Sequence, residues 1–276
     1  MADIGPSSRI RSGLAWRPHR PVTEIARATP REVAIGLSFD GRPHTVLMAT
    51  PDDLEELAVG FTVTEAIATY AEILAVTVEA AAEGVLVDIR LAPSSRTRRL
   101  RPRTLEGRSS CGLCGVQRLA DAVRPLPAVV SRQSFRPAAI ERAVAELGGR
   151  QPLGRLTRAT HAAAFAAADG SLGPVLEDVG RHNALDKLAG ALLRAGTDPA
   201  SGFVVVTSRC SFEMVEKTAR IGCPMLVAIS APTDLAIQRA ESAGLTLVAL
   251  ARDDGHTVFS HPERLGMVAT DLAEAS

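Results

Sequence analysis

The sequence predicts an α/β protein: a smaller α+β portion over residues 22–93 precedes a larger C-terminal α/β domain over residues 111–276. Three observations carry this. From His161 onward, short β-rich runs alternate with helical periods, the texture of βαβ crossovers. Before residue 93, two hairpin signals flank one amphipathic helix. Between the two regions, residues 94–110 lose all periodicity and crowd arginines among proline and glycine.

In chain order, residues 1–21 are rich in Ser, Pro and Arg and read as a mobile tail, with order beginning near Val22. Val33, Ile35, Leu37 and Phe39 alternate with smaller residues, Asp40-Gly41 is a turn dipeptide, and Thr45 to Ala49 returns as the partner strand. Thr50-Pro51-Asp52-Asp53 reads as a helix start: an N-cap, a proline at the first helical position and acids in the first turn. Leu54, Leu57, Ala58 and Phe61 then share one face of a helix reaching to near Ala68. Ile73 to Val78 and Val85 to Leu91, parted by Glu83-Gly84, form a second hairpin.

The segment 94–110 is a basic loop, in which Arg96, Arg98, Arg99, Arg101, Arg103 and Arg108 face the single acid Glu106. Helices are predicted at Val116 to Val123 and Pro137 to Leu147. Strands follow at Ala162 to Ala168 and Val175 to Val179, and a helix at Asn183 to Arg194. The β-rich runs Phe203 to Thr207, Met225 to Ser230 and Leu245 to Leu250, separated by helices Phe212 to Arg220 and Leu235 to Ser242, predict a largely parallel sheet.

Composition limits what this chain does. Its 276 residues are 46% hydrophobic, ample for a packed core, and its 31 basic residues balance 31 acidic ones. No global field therefore draws it to nucleic acid. The N-terminus has no apolar stretch of the signal-peptide kind, and no later segment offers the roughly 18 uninterrupted apolar residues of a membrane span, so a cytoplasmic protein is expected. Four cysteines, two of them three positions apart, suit metal or redox chemistry in a reducing compartment better than a disulfide framework.

The sharpest local signal is Cys111-Gly112-Leu113-Cys114-Gly115. The glycines permit a tight turn, while neighbouring guanidinium groups and a following helix N-terminus favour thiolate, the nucleophile and sulfur acceptor. A persulfide on one cysteine can be passed on or resolved by the other. The competing reading is structural zinc, with Cys210 and Cys223 as further ligands, although one follows a predicted strand and the other precedes one. Buried packing is the common fate of such free cysteines. A zinc nucleoside deaminase needs His-x-Glu followed by Pro-Cys-x-x-Cys. Ser110 stands where that proline belongs, and the sole His-x-Glu, His261-Pro262-Glu263, comes after the cysteines.

Two polar runs, around His161 and from Glu177 to Lys187 with Asp178 and His182, fall at ends of predicted strands, where open α/β sheets bind ligands. Asp178 or His182 could instead cap the next helix. A third run, Ser208-Arg209-Cys210-Ser211-Phe212-Glu213, offers hydroxyls, a guanidinium and free N–H donors to a phosphate, with Ser211 as a plain N-cap the alternative.

Together these strings, in this order from about Thr23 to Leu265, resemble the formate dehydrogenase accessory sulfurtransferase family, FdhD. The resemblance implies a cytidine-deaminase-like C-terminal domain without deaminase chemistry, and a homodimer. It implies that a cysteine desulfurase donates sulfur to Cys111, assisted by Cys114. The sulfur then passes to the molybdenum bis(molybdopterin guanine dinucleotide) cofactor as bound substrate, before its insertion into formate dehydrogenase. GDP and similar guanosine nucleotides would serve as surrogate ligands. The family's cofactor-binding stretch aligns on Leu250, Ala251, Arg252, Asp253, Asp254 and Gly255; the two carboxylates depart from the family pattern and disfavour side-chain contact with an anion. The basic loop acquires a role in attracting phosphates or an acidic partner. A cofactor-binding chaperone without transfer chemistry is the remaining alternative.

Overall fold

A computed structural model of the chain describes residues 4–95, 125–252 and 254–267. Cys111, Cys114, Asp253, the predicted helix at Val116 to Val123 and all but the first two residues of the basic loop lie outside the described residues.

Residues expected to form a tail pair instead as a long antiparallel ribbon, β1 (Ser8–Arg17) with β2 (Arg20–Pro30). Its period-2 pattern was hidden because arginines alternate with apolar residues within a Ser/Pro/Arg-rich composition.

A four-stranded sheet follows, in the order β4-β3-β6-β5, from β3 (Val33–Phe39), β4 (Arg42–Ala49), β5 (Ile73–Ala81) and β6 (Gly84–Leu91). Asp40 and Gly41, at φ 50° and 75°, make the two-residue turn that a right-twisted hairpin favours. Ile35, Leu37, Phe39, Val85, Val87 and Ile89 form the buried face, packed on helix α1 (Leu54–Thr64) through Leu54, Leu57, Ala58 and Phe61. The helix begins later than Thr50-Pro51 suggested and ends short of Ala68. Asp53 occupies the cap position in a left-handed conformation, and Thr50 is buried elsewhere, as described below.

The larger sheet has the order β12-β11-β10-β9-β7-β8. Its strands are β7 (His161–Ala167), β8 (Leu172–Asp178), β9 (Gly202–Val206), β10 (Met225–Ala228), β11 (Thr246–Arg252) and β12 (Gly255–Ser260). The expectation of a largely parallel sheet is corrected: β9, β10 and β11 run parallel, but β7 is antiparallel to both neighbours and β12 is antiparallel to β11. Short turns join β7 to β8 and β11 to β12, and a short turn imposes antiparallel pairing. Helices cover both faces. On one lie α4 (Arg181–Arg194), α5 (Phe212–Arg220) and α6 (Asp234–Ala243); on the other lies α2 (Pro137–Leu147), where Phe135 meets Phe203 edge-on at 5.4 Å. A short helix, α3 (Pro152–Thr157), precedes β7. Among the described residues no helix is long and apolar enough to cross a membrane.

The two sheets are joined through α1 and α4, which cross at glycines. A Cβ on Gly60 would fall 1.7 Å from Asp186 O, and one on Gly190 2.0 Å from Glu56 O. Only backbone without side chains fits this crossing.

Candidate functional site

Strand direction brings the predicted polar runs together. The start of β7 lies beside the C-terminal end of β9, because these strands are antiparallel, and Ala162 N–H donates to Thr207 Oγ1 at 2.9 Å. His161 pairs in turn with Asp178 at the end of β8. His161, His182 at the start of α4, and the Ser208–Ser211 turn at the start of α5 therefore share one edge of the larger sheet, the carboxyl end of its parallel strands. Open α/β sheets present ligands there.

His161 is half-buried; burial, then the nearby Arg181 and His182, push its pKa below the ordinary imidazole value against the pull of Asp178. It stands neutral at neutral pH. His182 Nε2 lies 3.0 Å from Glu213 Oε2, without the alignment of a hydrogen bond. Ser211 is the N-cap of α5 by position, yet its side chain bonds none of the helix N–H groups and its buried Oγ has no hydrogen-bond partner. Its backbone carbonyl still accepts helical bonds from Met214 and Val215 N–H. Arg209 is exposed at the same turn. Ser208 is buried, its hydroxyl donating to Arg209 O at 3.0 Å, so it shapes the turn. The combination offers a guanidinium, a hydroxyl and the positive end of a nine-residue helix to an anion. The Glu213 carboxylate, in the first turn of the helix, opposes that field.

Asp178 has a different part from the one expected of it. It is wholly buried. Its Oδ2 accepts from Thr50 N–H at 2.9 Å and Thr50 Oγ1 at 2.8 Å and pairs with Lys187 Nζ at 2.7 Å; its Oδ1 accepts from Gly180 N–H at 2.8 Å and Asn183 Nδ2 at 3.0 Å. Every lone pair is occupied by protein, so Asp178 builds the wall behind the site. Gly180 caps α4, with no side-chain cap from Asp178 or His182. Thr50 was missed because it lies 128 residues from Asp178, and nothing local in the sequence marks the pairing.

A second buried network ties α1, α4 and α5 together. Lys217 Nζ pairs with Asp186 Oδ1 at 2.9 Å and Glu65 Oε1 at 2.8 Å and donates to Thr64 Oγ1 at 3.0 Å. Lys187 and Lys217 are the chain's only lysines, and both are buried.

The stretch Leu250–Gly255 closes the same sheet edge two strands from β9, at the β11–β12 turn. Leu250 is left-handed at φ 55° and 39% exposed, whereas Ala251 is in the core and offers no side chain to a ligand. Arg252 and Asp254 are exposed, Gly255 is partly buried, and Asp253 lies outside the described residues.

Cys210 and Cys223 are fully buried, and burial pushes each thiol up to about 12. Cys210 follows the carboxyl end of β9, while Cys223 precedes the amino end of β10, its parallel neighbour. The pair sits at opposite ends of the sheet, roughly one strand length apart, too far to share a metal. The reading of both as packing residues stands.

A sequence model described as the FdhD/NarQ family matches residues 30–266. Proteins named sulfur carrier protein FdhD are similar over most of their length. That of Xanthomonas euvesicatoria pv. vesicatoria is 45% identical over 96% of this chain and 94% of its own. That of Cupriavidus necator is 48% identical over 85% and 82%, and that of Agrobacterium fabrum 47% identical over 96% and 98%. Among solved structures, a putative formate dehydrogenase accessory protein from Desulfotalea psychrophila superposes with a TM-score of 0.74 at 25% identity, covering 94% of this chain and all of that one. The chain belongs to the FdhD/NarQ family.

Proposed function

We propose that this chain is a sulfur carrier that serves formate dehydrogenase, working in the cytoplasm as a homodimer on a cytidine-deaminase-like scaffold. A cysteine desulfurase supplies the sulfur. The Cys111 thiolate attacks the terminal sulfur of the donor's persulfide, the donor leaves as thiolate, and Cys111 holds the S–SH group. Attack by the Cys114 thiolate on the inner sulfur of Cys111 releases hydrosulfide and leaves a Cys111–Cys114 disulfide; the two electrons that reduce the transferred sulfur come from the two thiols. The recipient is the molybdenum bis(molybdopterin guanine dinucleotide) cofactor, bound as substrate along the carboxyl edge of the larger sheet. There Arg209, Ser211 and the α5 N-terminus meet its phosphates, beside His161 and His182, with Leu250, Arg252 and Gly255 bordering it.

The observation that carries this reading, beyond family membership, is the convergence of His161, His182, Arg209 and the unpartnered Ser211 hydroxyl at one strand edge. Incubation with a cysteine desulfurase and cysteine, followed by mass spectrometry, tests it: the Cys111 peptide gains one sulfur, about 32 Da, reversible by reductant. A protein that restores formate dehydrogenase activity with both thiols replaced would be a cofactor chaperone, and the carrier reading would fail.

A further inference from the structure

The β1–β2 ribbon sorts its side chains by charge. Successive residues of a strand point to opposite sides, and residues directly opposite across a pair share one. On β1, Arg9, Arg11 and Arg17 therefore point one way, and Ile10, Leu14 and Trp16 the other. On β2, Arg27 stands directly opposite Arg11, and Arg20 directly opposite Arg17, which brings all five of the ribbon's arginines to one side. The register slips between Ala15 and Arg17, where Thr23 to Arg20 on β2 answers Ala15 to Arg17 on β1. The extra residue belongs to β2, so the alternation of β1 runs unbroken to Arg17. The ribbon's single acid, Glu24, stands opposite Leu14 on the other side.

This arrangement is unfavourable in the free chain. Like charges set directly opposite one another destabilise a strand pair, and here they do so twice, in a two-stranded ribbon of the kind that is marginal in water. Surface arginines elsewhere are matched: Arg142 pairs with Asp169, Arg150 with Glu146, and Arg194 with Glu55 and Glu56. Among the described residues no carboxylate meets any of the ribbon's five. β2 packs on α3, but its buried residue is Ala28, on the side away from the arginines, all of which are exposed.

We propose that the arginine side of the ribbon docks an extended acidic segment of a partner protein, with carboxylates at alternate positions. Arg9 and Arg11 are roughly 6.7 Å apart along β1, the repeat at which every second side chain of an extended segment recurs, and Arg9 to Arg17 spans roughly 26 Å. A carboxylate accepts two parallel bonds from a guanidinium, and one set between Arg11 and Arg27 turns their repulsion into attraction for both. The sidedness disfavours other anions. A lipid surface is met by apolar and basic groups facing it together, whereas Leu14 and Trp16 face away from the arginines. Single-stranded nucleic acid stacks on aromatic rings beside the basic groups, and the chain's one tryptophan is on the wrong side. With 31 basic and 31 acidic residues the chain also has no long-range field for a nucleic-acid backbone. The docking surface goes beyond the sulfur-carrier reading and does not depend on it.

Fluorescence anisotropy of the full chain with a labelled ten-residue peptide of alternating Glu and Thr tests this, beside a peptide of the same composition with its glutamates contiguous. The alternating peptide should bind severalfold more tightly than the contiguous one, and more weakly as salt rises. Arg11→Gln with Arg27→Gln should weaken it about tenfold or more, whereas Arg142→Gln with Arg150→Gln, an equal loss of charge away from the ribbon, should change it less than about twofold. Arg27→Glu supplies Arg11 with an opposite charge across the strands, so it should abolish peptide binding while slowing amide exchange in the ribbon. Such a result separates lost docking from lost folding. No binding, equal binding of the two peptides, or binding indifferent to Arg11→Gln with Arg27→Gln would overturn the proposal. Tighter binding of a 20-base-pair DNA duplex or of phosphatidylglycerol vesicles, lost in the same double variant, would also overturn it and assign the surface to that anion instead.

Discussion

Lys187 Nζ and Asp178 Oδ2 meet at 2.7 Å with both side chains wholly buried, and Thr50 completes the cluster from the other sheet by donating to Asp178 and accepting from Lys187 at 2.6 Å. The ion pair clamps the two portions together behind the candidate site. Lys187→Met leaves a carboxylate buried without its counter-charge and should cost about 3–5 kcal/mol in urea denaturation. Lys187→Arg should also destabilise, because a planar fork does not reproduce the compact set of contacts to Thr50, Asp178 and Glu177 O. A loss below 1 kcal/mol for Lys187→Met would show the cluster to be dispensable.

Gly60 and Gly190 let α1 and α4 cross with backbones in contact. Gly190→Ala forces a methyl against the Glu56 carbonyl, whose helix cannot yield by flexing a side chain, so a loss of about 1–3 kcal/mol or more is expected from thermal or chemical denaturation. Gly148→Ala, at a glycine with open space around it, is the control and should be near neutral.

Cys210→Ala and Cys223→Ala should each cost about 1 kcal/mol and leave sulfur transfer intact, since each removes a small buried group. In the native protein at pH 8, both thiols should resist iodoacetamide, because burial holds them near 12, and react only on unfolding. Peptide mapping after timed alkylation reads this out.

Burial lowers the pKa of His161, so the folded state resists a proton that the unfolded chain accepts. The contribution is absent above the ordinary imidazole value of about 6.5 and becomes a loss of stability as pH falls below it. His161→Asn should flatten the acid limb of a stability–pH curve. His256, also lowered chiefly by burial, accounts for part of the remaining slope.

Calorimetric titration addresses the ligand edge. GDP should bind more tightly than CDP or ADP, and Arg209→Ala together with Ser211→Ala should weaken GDP by about tenfold or more through loss of charge-assisted contacts to phosphate. Equal affinity for all three nucleotides would leave a generic phosphate site, and no binding would remove the cofactor from this edge.

Local physics made much of this protein legible in one dimension. Hydrophobic period placed Val33–Phe39, Pro137–Leu147 and Phe212–Arg220 as the structure has them, and Asp40-Gly41 declared its turn because few other residue pairs accept two positive φ values. The ordered strings around His161, Glu177 and Ser208 pointed to the family, and the strand ends carrying them pointed to a ligand edge. Tertiary structure alone decided the rest. Whether β7 runs with or against β9 is set by partners and connections, not by its own alanines. The purpose of Thr50, Asp178 and Lys187 emerges only when residues up to 137 positions apart exclude water together, since a charge tolerates burial only beside its complement.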